Sequence, residues 1–412
     1  MSRPKNRLQK IQTKDLAVGM FVHDVGRKWF GHPWARKRKL ITSKEDIRQL
    51  LEYGIEEVTI DLDRGVPRQK IPDQVEQIEK KPYTIEQTAE KIEERPKGPT
   101  DIVSMEEELP RARETYFSAL QTTREFLSDA RAGREVNIPK VQANVEDIID
   151  STFRNRDASL ALIKLKTYDE YTLTHSLNVA VLSISMGCHA NFPREKIRDL
   201  GLGAILHDLG KTQVPYHILN KEGPLDEIEY NTIKSHPVVG ADMLEKTRKI
   251  PEKAVSIARY HHERMDGSGY PLGLSGKELN DFTIITGLSD VYDALTSDRV
   301  YRKSIPPHDA LRAIFLLRGK QFDELWVEKF TQCLGIYPAG TLVKLNSEEI
   351  AVVLNVNRTN LLRPRVRIIF DSKGIPISGK KIIDLQETKF LDLKILEVLN
   401  PKSLRLDLSI YF

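Results

Sequence analysis

The sequence predicts a multidomain chain: a central all-α helical bundle, a small α/β N-terminal domain ahead of it and a short β-rich C-terminal unit behind it. Three observations lead there. Apolar residues recur at helical spacing through the middle of the chain, with polar connections and no convincing strands. Short β-like runs separated by Asn, Ser, Gly and Pro follow Gly335. The first sixty or so residues alternate strand-like and helix-like patterns. The boundaries expected are 1–63 for the α/β domain, 64–105 for a charged flexible linker, 106–335 for the bundle and 336–412 for the β-rich unit.

In order, LAVGMFVHDV reads as a strand pair punctuated by Gly19, SKEDIRQLLEYGI as a capped helix and EEVTIDLD as a closing strand. Ser43 and Asp46 have capping-box spacing, and Ile47, Leu50 and Leu51 give that helix its apolar face. Residues 64 to 105 carry prolines, alternating charges and few aliphatics, which describes a spacer with at most one solvated helical stretch. Helices are expected over Met105–Arg134 and Pro139–Arg154, where Tyr116, Leu120, Phe126 and Leu127, then Val141, Val145, Ile148 and Ile149, mark the buried faces. LGLGAILH, AVSIARYHH and FTIITGLSDVYDAL continue the bundle. TLVKLNS, IAVVLNVN, RVRIIFD and SLRLDLS are the strands expected at the end.

Composition narrows the function classes. With 40% hydrophobic and 30% charged residues the chain is a soluble globular protein, and a net charge of +4 with mixed signs argues against a nucleic-acid polymer as partner. No apolar run approaches the ~20 residues of a membrane helix, and the N-terminus lacks the apolar core of a secretory signal. Cys188 and Cys333 lie far apart and suggest no disulfide framework, so a cytoplasmic protein is expected.

Seven of the ten histidines fall between His175 and His262. His207-Asp208 and His261-His262 are adjacent pairs, with His175, His236 and Asp290 around them. Imidazole and carboxylate are the usual ligands of borderline divalent metals. An adjacent pair on a helix points its two side chains about 100° apart, so it can supply one ligand to a metal while the carboxylate bridges to a second. Facing helices of a bundle are a known scaffold for two-metal sites, which suit in-line phosphoryl displacement. Other motifs fail: Gly210-Lys211-Thr212 lacks the glycine a phosphate-binding loop needs at Ile205, and the second histidine of a zinc-protease pattern would fall at Asp266. His189, His217 and His308 match no ligand position, and Cys188 sits in an apolar run that reads as core.

The ordered series His175, His207-Asp208-x-Gly210-Lys211, His236, His261-His262-Glu263-x-x-Asp266-Gly267-x-Gly269-Tyr270-Pro271, Asp290, Asp293-Ala294-Leu295-Thr296 and Arg299-x-Tyr301-Arg302 resembles the HD-GYP family. That family comprises bacterial HD-superfamily phosphodiesterases that hydrolyse cyclic di-GMP. The resemblance covers roughly residues 150 to 335, and residues 8 to 63 look like a small domain of unknown function often found ahead of it. It implies an HD-type bundle holding two divalent metal ions per chain, iron or manganese. His175, His207, Asp208 and Asp290 would hold one ion, with Asp208 bridging; His236, His261 and His262 would complete the second. Asp208 and Lys211 would be catalytic, Lys211 by neutralising phosphate charge. Lys211, Arg299, Arg302 and Asp169 would contact substrate, and Gly269, Tyr270 and Pro271 would form the GYP loop. The resemblance further implies contact with a GGDEF-type diguanylate cyclase through that loop; separately, a homodimer is an expectation, with the N-terminal module and the β-rich tail as its candidate dimerising parts. Some members carry a glutamate four residues before the first histidine for a third metal. Tyr171 stands there, so two metals are expected, with linear pGpG favoured over GMP as product. The alternatives are a slow cyclic di-GMP receptor acting through a partner, or an HD phosphohydrolase for another cyclic dinucleotide.

Overall fold

The structure, a computed structural model, describes residues 8–16, 20–25, 39–41, 44–61, 85–89, 92, 101–163, 171–221, 225–247, 250–298, 304–401, 404 and 406. The chain divides into two compact units, residues 1–80 with 214–235 and residues 81–213 with 236–412.

The first unit contains strands β1 (Leu8–Gln12), β2 (Phe21–Asp24), β3 (Lys39–Leu40) and β4 (Glu57–Asp61), with helix α1 (Lys44–Glu52). They form an antiparallel sheet in the order β1-β4-β2-β3. Val22, Ile41, Leu50, Val58 and Ile60 form its core, because alternate residues of each strand and one stripe of the helix turn to the same side. The expected capping pair is described only at Asp46, which Lys39 bridges at 2.5 Å; Ser43 lies outside the described residues. Two short helices, α2 (Tyr216–Leu219) and α3 (Glu227–Lys234), belong to this unit; a reciprocal capping box between Asp226 and Glu229 starts α3.

The second unit is a helical bundle followed by a sheet. Helix α4 (Met105–Arg131) is capped by Ser104 and buries Ala112, Tyr116, Ala119, Thr123, Phe126 and Ala130 along one face. Helix α5 (Ile138–Arg154) starts at Asn137 and buries Val141, Val145, Ile148 and Ile149. Asn155 ends it and caps α6 (Arg156–Leu162) through Ala158. Helix α7 (Tyr171–His189) is buried on every side from Thr174 to Cys188, as is α8 (Arg194–Leu206) over its second half. Fully buried side chains such as Leu182 and Ile184 contribute about 1.5–3 kcal/mol each, which makes α7 the bundle's central rod. Then come α9 (His236–Lys246), α10 (Glu252–Tyr260), α11 (Asp281–Thr296), α12 (Pro307–Phe315) and α13 (Glu324–Leu334). Strands β5 (Leu342–Leu345), β6 (Ile350–Asn355), β7 (Arg365–Phe370), β8 (Pro376–Asp384) and β9 (Ile395–Leu399) form an antiparallel sheet in the order β8-β7-β6-β5-β9. Arg358 ties this sheet to the bundle through Asp157 at 2.5 Å.

Several expectations change. Of the stretch read as a solvated spacer, Ile85, Ala89 and Ile92 are buried, and Glu86 lies 3.4 Å from His308. Three apolar residues within eight positions suffice to dock a segment, even where the surrounding composition is charged. Strands β8 and β9 were not anticipated: ISGKKIID mixes charge into its alternation, and ILEVL is short. The strand expected from SLRLDLS falls mostly outside the described residues, and its Leu404 and Leu406 lie in no strand.

Candidate metal centre

The His207-Asp208 pair does not sit within a helix, as its spacing suggested. Helix α8 ends at Leu206, His207 caps it, and a 3-10 turn over Leu209–Gln213 follows. The pair His261-His262 likewise caps the end of α10. Both placements have the same consequence. At a helix end a carbonyl three residues back, one of the last in the helix without an intrahelical partner, can accept from a ring. His207 Nδ1 donates to Ala204 O at 2.7 Å, and His261 Nδ1 to Ala258 O at 3.0 Å. A carbonyl can only accept, so each Nδ1 carries the proton and each Nε2 presents a lone pair to the interior.

The other side chains converge on the same point from three helices. His175 lies in the second turn of α7, His236 opens α9 and Asp290 lies on α11. His175 Nε2 is 3.2 Å from Asp290 Oδ1 and 3.6 Å from Asp208 Oδ2. His207 Nε2 is 3.4 Å from Asp208 Oδ2. On the other side of the carboxylate, Asp208 Oδ1 is 3.2 Å from His236 Nε2 and 3.8 Å from His261 Nε2. His262 Nδ1 is 3.7 Å from Asp290 Oδ2. Ligand-capable atoms within 4.8 Å of one another fall into two groups, one of His175, His207 and Asp208, the other of Asp208, His236, His261 and His262. Asp208 belongs to both.

The donor set fits divalent metals. His207 Nε2 and Asp208 Oδ1 are buried and make no hydrogen bond, an arrangement that costs free energy unless a cation is coordinated there. Nitrogen and carboxylate ligands without sulfur suit borderline first-row ions. Burial works against the Asp208 carboxylate, but the Lys211 ammonium and the neighbouring imidazoles outweigh it and hold the carboxyl well below its ordinary pKa. Asp290 is held low in the same way, burial being outweighed chiefly by the hydrogen bond and charge of His175. Burial, reinforced by adjacent imidazoles, drives His261 and His262 well below the histidine range, so both are neutral. For His175 burial is overcome by hydrogen bonds and charge from Asp290 and Asp293, which push it up to about 9. Ionised Asp208 and Asp290 and neutral His261 and His262 are in the forms that bind a metal, whereas His175 would give up a proton as an ion is bound.

Backbone packing makes this convergence possible at two glycines. A Cβ on Gly210 would lie 2.0 Å from His236 O, so the 3-10 turn and the start of α9 touch main chain to main chain only because position 210 has no side chain. Gly269 is the second: its Cβ would lie 2.4 Å from Glu263 Cα. The loop after His262 folds back over the helix end there, and Tyr270 stacks on His262 with ring centroids 4.6 Å apart. Pro271 follows, and Leu272 beside it is two-thirds exposed. Glu263 holds the loop: Oε1 accepts from Leu272 N at 2.7 Å and Gly273 N at 3.1 Å, and Oε2 from Leu274 N at 3.0 Å.

The structure thus brings His175, His207, Asp208, His236, His261, His262 and Asp290 together. It sets Lys211 Nζ 2.6 Å from Asp208 Oδ2, so the lysine's described partner is the shared carboxylate. Asp169, Arg299 and Arg302 lie outside the described residues. His189 is a core residue between Arg156 and Gln332, and His308 donates to or accepts from neither group of ligands, its Nδ1 bonding Ile336 O. Sequence reasoning gave no role to Glu263 or Asp293. Asp293 accepts from His175 Nδ1 at 2.8 Å, and its position three residues after Asp290 on one helix was the available signal. Nothing in the sequence marked Glu263 as the loop's anchor.

Three family models match the chain: a domain of unknown function (DUF3391) over residues 8–141, an HD domain over 146–325, and a KOW domain associated with HD domain over 342–406. The first runs through the expected linker and takes in α4. A cyclic di-GMP phosphodiesterase of Pseudomonas aeruginosa is 35% identical over 383 residues, 92% of this chain and 89% of that protein. A cyclic di-GMP phosphodiesterase response regulator of Xanthomonas campestris is 38% identical over 135 residues, 32% of this chain and 36% of its own length. A 3'3'-cGAMP-specific phosphodiesterase of Vibrio cholerae is 32% identical over 191 residues, 45% of this chain and 41% of that protein. No helix among the described residues is long and apolar enough to cross a membrane.

Proposed function

Since the chain belongs to the HD-GYP family of HD-domain cyclic di-GMP phosphodiesterases, we propose that it hydrolyses cyclic di-GMP at the histidine–aspartate cluster. The observation that carries this is the sharing of Asp208 between two groups of ligand atoms, the arrangement a pair of metal ions needs. His175, His207, Asp208 and Asp290 would hold one ion, and Asp208, His236, His261 and His262 the other. Bound divalent ions would supply the charge that activates water for attack on phosphorus and stabilises the in-line transition state. Nitrogen and oxygen ligation favours iron or manganese.

The protein's own groups hold this chemistry in place. The helix-end carbonyls of Ala204 and Ala258 fix the rings of His207 and His261. Lys211 holds the shared carboxylate ionised and, one-fifth exposed, is the basic residue of this turn that could neutralise phosphate charge. Tyr270, stacked on His262, covers one flank of the cluster. One water is added across one P–O3′ bond, giving linear pGpG with a 5′-phosphate and a 3′-hydroxyl. The two-group ligand set supports that product over complete cleavage to GMP. Arg299, Arg302 and Asp169 are assigned to the nucleotide by their match to the family pattern alone. The exposed Leu272 supports the GYP loop as the surface that meets a GGDEF-type cyclase, and two free buried cysteines support a cytoplasmic enzyme; a homodimer completes the reading.

The test is metal analysis of anaerobically purified protein, with turnover of cyclic di-GMP and 3'3'-cGAMP, beside Asp208→Ala and His207→Ala. Near two ions per chain, hydrolysis of cyclic di-GMP in preference to cGAMP, and loss of turnover in both variants are expected. Tight binding of cyclic di-GMP without turnover in the iron- and manganese-loaded protein would establish a receptor instead.

A further inference from the structure

A bound metal would engage His175 Nε2, and a second set of partners lies behind the ring. His175 Nδ1 donates to Asp293 Oδ2 at 2.8 Å, and Ser297 Oγ donates to the same oxygen at 3.2 Å. The other oxygen, Asp293 Oδ1, accepts from Asn178 Nδ2 at 2.9 Å; that nitrogen also donates to Ile163 O at 3.2 Å. Asn178 Oδ1 in turn accepts from the Tyr116 hydroxyl at 2.8 Å. Every direction in this chain is fixed by chemistry. Asn178 Nδ2 faces a carboxylate and a carbonyl, so the amide cannot be flipped, its oxygen must accept, and the tyrosine must donate. Tyr116, Asn178, Asp293 and His175 are each at most 2% exposed, so no solvent path to bulk water replaces a missing partner.

Tyr116 belongs to α4, which the HD-domain model does not reach and the model of the preceding domain does. We propose that Tyr116 is a positioning residue of the metal centre: through Asn178 and Asp293 it fixes the His175 ring in the orientation a metal ion requires, so the helix ahead of the HD domain is a working part of the site. The inference rests on the metal reading of the cluster. Outer partners of metal-bound histidines typically change affinity by about 10- to 100-fold when removed, which is the range expected for the Asp293 contact. Tyr116 acts two hydrogen bonds further out, and a loss of about 3- to 10-fold is expected.

The experiment uses full-length protein stripped of metal and titrated calorimetrically with Mn²⁺, comparing Tyr116→Phe, Asn178→Ala, the double variant and Tyr292→Phe. Tyr292 is a second buried tyrosine, adjacent to Asp293 in sequence and outside this chain of bonds, and controls for losing any buried hydroxyl. Weaker Mn²⁺ binding in Tyr116→Phe but not in Tyr292→Phe, with the double variant no weaker than Asn178→Ala alone, is expected. Without Asn178 the hydroxyl has nothing to act through. Wild-type affinity in Tyr116→Phe, or an equal loss in Tyr292→Phe, would overturn the inference. Should Tyr116→Phe fail to fold, wild-type affinity in Asn178→Ala would overturn it as well. A wild-type protein that binds no Mn²⁺ would sink the metal reading itself, and this inference with it.

Discussion

Replacing Glu263 with glutamine should loosen the loop that carries Tyr270 without touching a metal ligand. The carboxylate accepts three main-chain N–H bonds, two at Oε1 and one at Oε2. A bond to a charged acceptor contributes about 1.5–3 kcal/mol and a neutral one about 0.5–1.5 kcal/mol. An amide oxygen placed at the Oε1 position keeps two bonds but loses about 1 kcal/mol from each with the charge. The amide nitrogen at the Oε2 position confronts Leu274 N–H and loses the third bond, about 2 kcal/mol more. Water reaches part of the loop, Leu272 being 66% exposed, so roughly half of this total survives, about 2 kcal/mol. Amide exchange at Leu272, Gly273 and Leu274 reports local opening and should accelerate by about 30-fold, while amides in the middle of α7 stay protected. With the Tyr270–His262 stack released, kcat/KM for cyclic di-GMP should fall too. Exchange at these three amides within about threefold of wild type, in folded protein, would refute the assignment of Glu263 as the loop's anchor.

Other outcomes follow from the same geometry. Gly210→Ala sets a methyl 2.0 Å from His236 O, which only a backbone shift relieves; urea unfolding should show at least ~3 kcal/mol of destabilisation and metal analysis a loss of bound ion, and a stable, metal-loaded variant would refute the close contact. Metal-stripped protein should be most stable near pH 6.5, the ordinary histidine pKa. Against its burial, Asp290 and Asp293 hold His175 at about 9, so its contribution, on the order of 3 kcal/mol, is complete below 6.5 and is lost as the pH rises through 9. His261 and His262, held low, contribute stability that disappears as the pH falls below 6.5. Urea midpoints in excess chelator that climb steadily from pH 6.5 to 9 would contradict this.

What the sequence determined by itself was the chemistry. Residue identity and order are enough to list imidazoles and carboxylates, because a ligand is defined by its functional group, and His175, His207, Asp208, His236, His261, His262 and Asp290 were all named from the string. Helical periodicity placed α4 and α5 to within three residues at either end, since a stripe of apolar side chains is a local pattern. Tertiary structure alone decided how those groups are aimed. That the two adjacent pairs cap helix ends, where carbonyls can hold Nδ1, depends on where α8 and α10 stop. That Gly210 must be glycine depends on a chain segment arriving from 26 residues away, and that Tyr116 reaches His175 depends on packing across 59. Periodicity carries no information about such encounters. They are set by the complementarity of surfaces distant in sequence, which exists only once the core has closed.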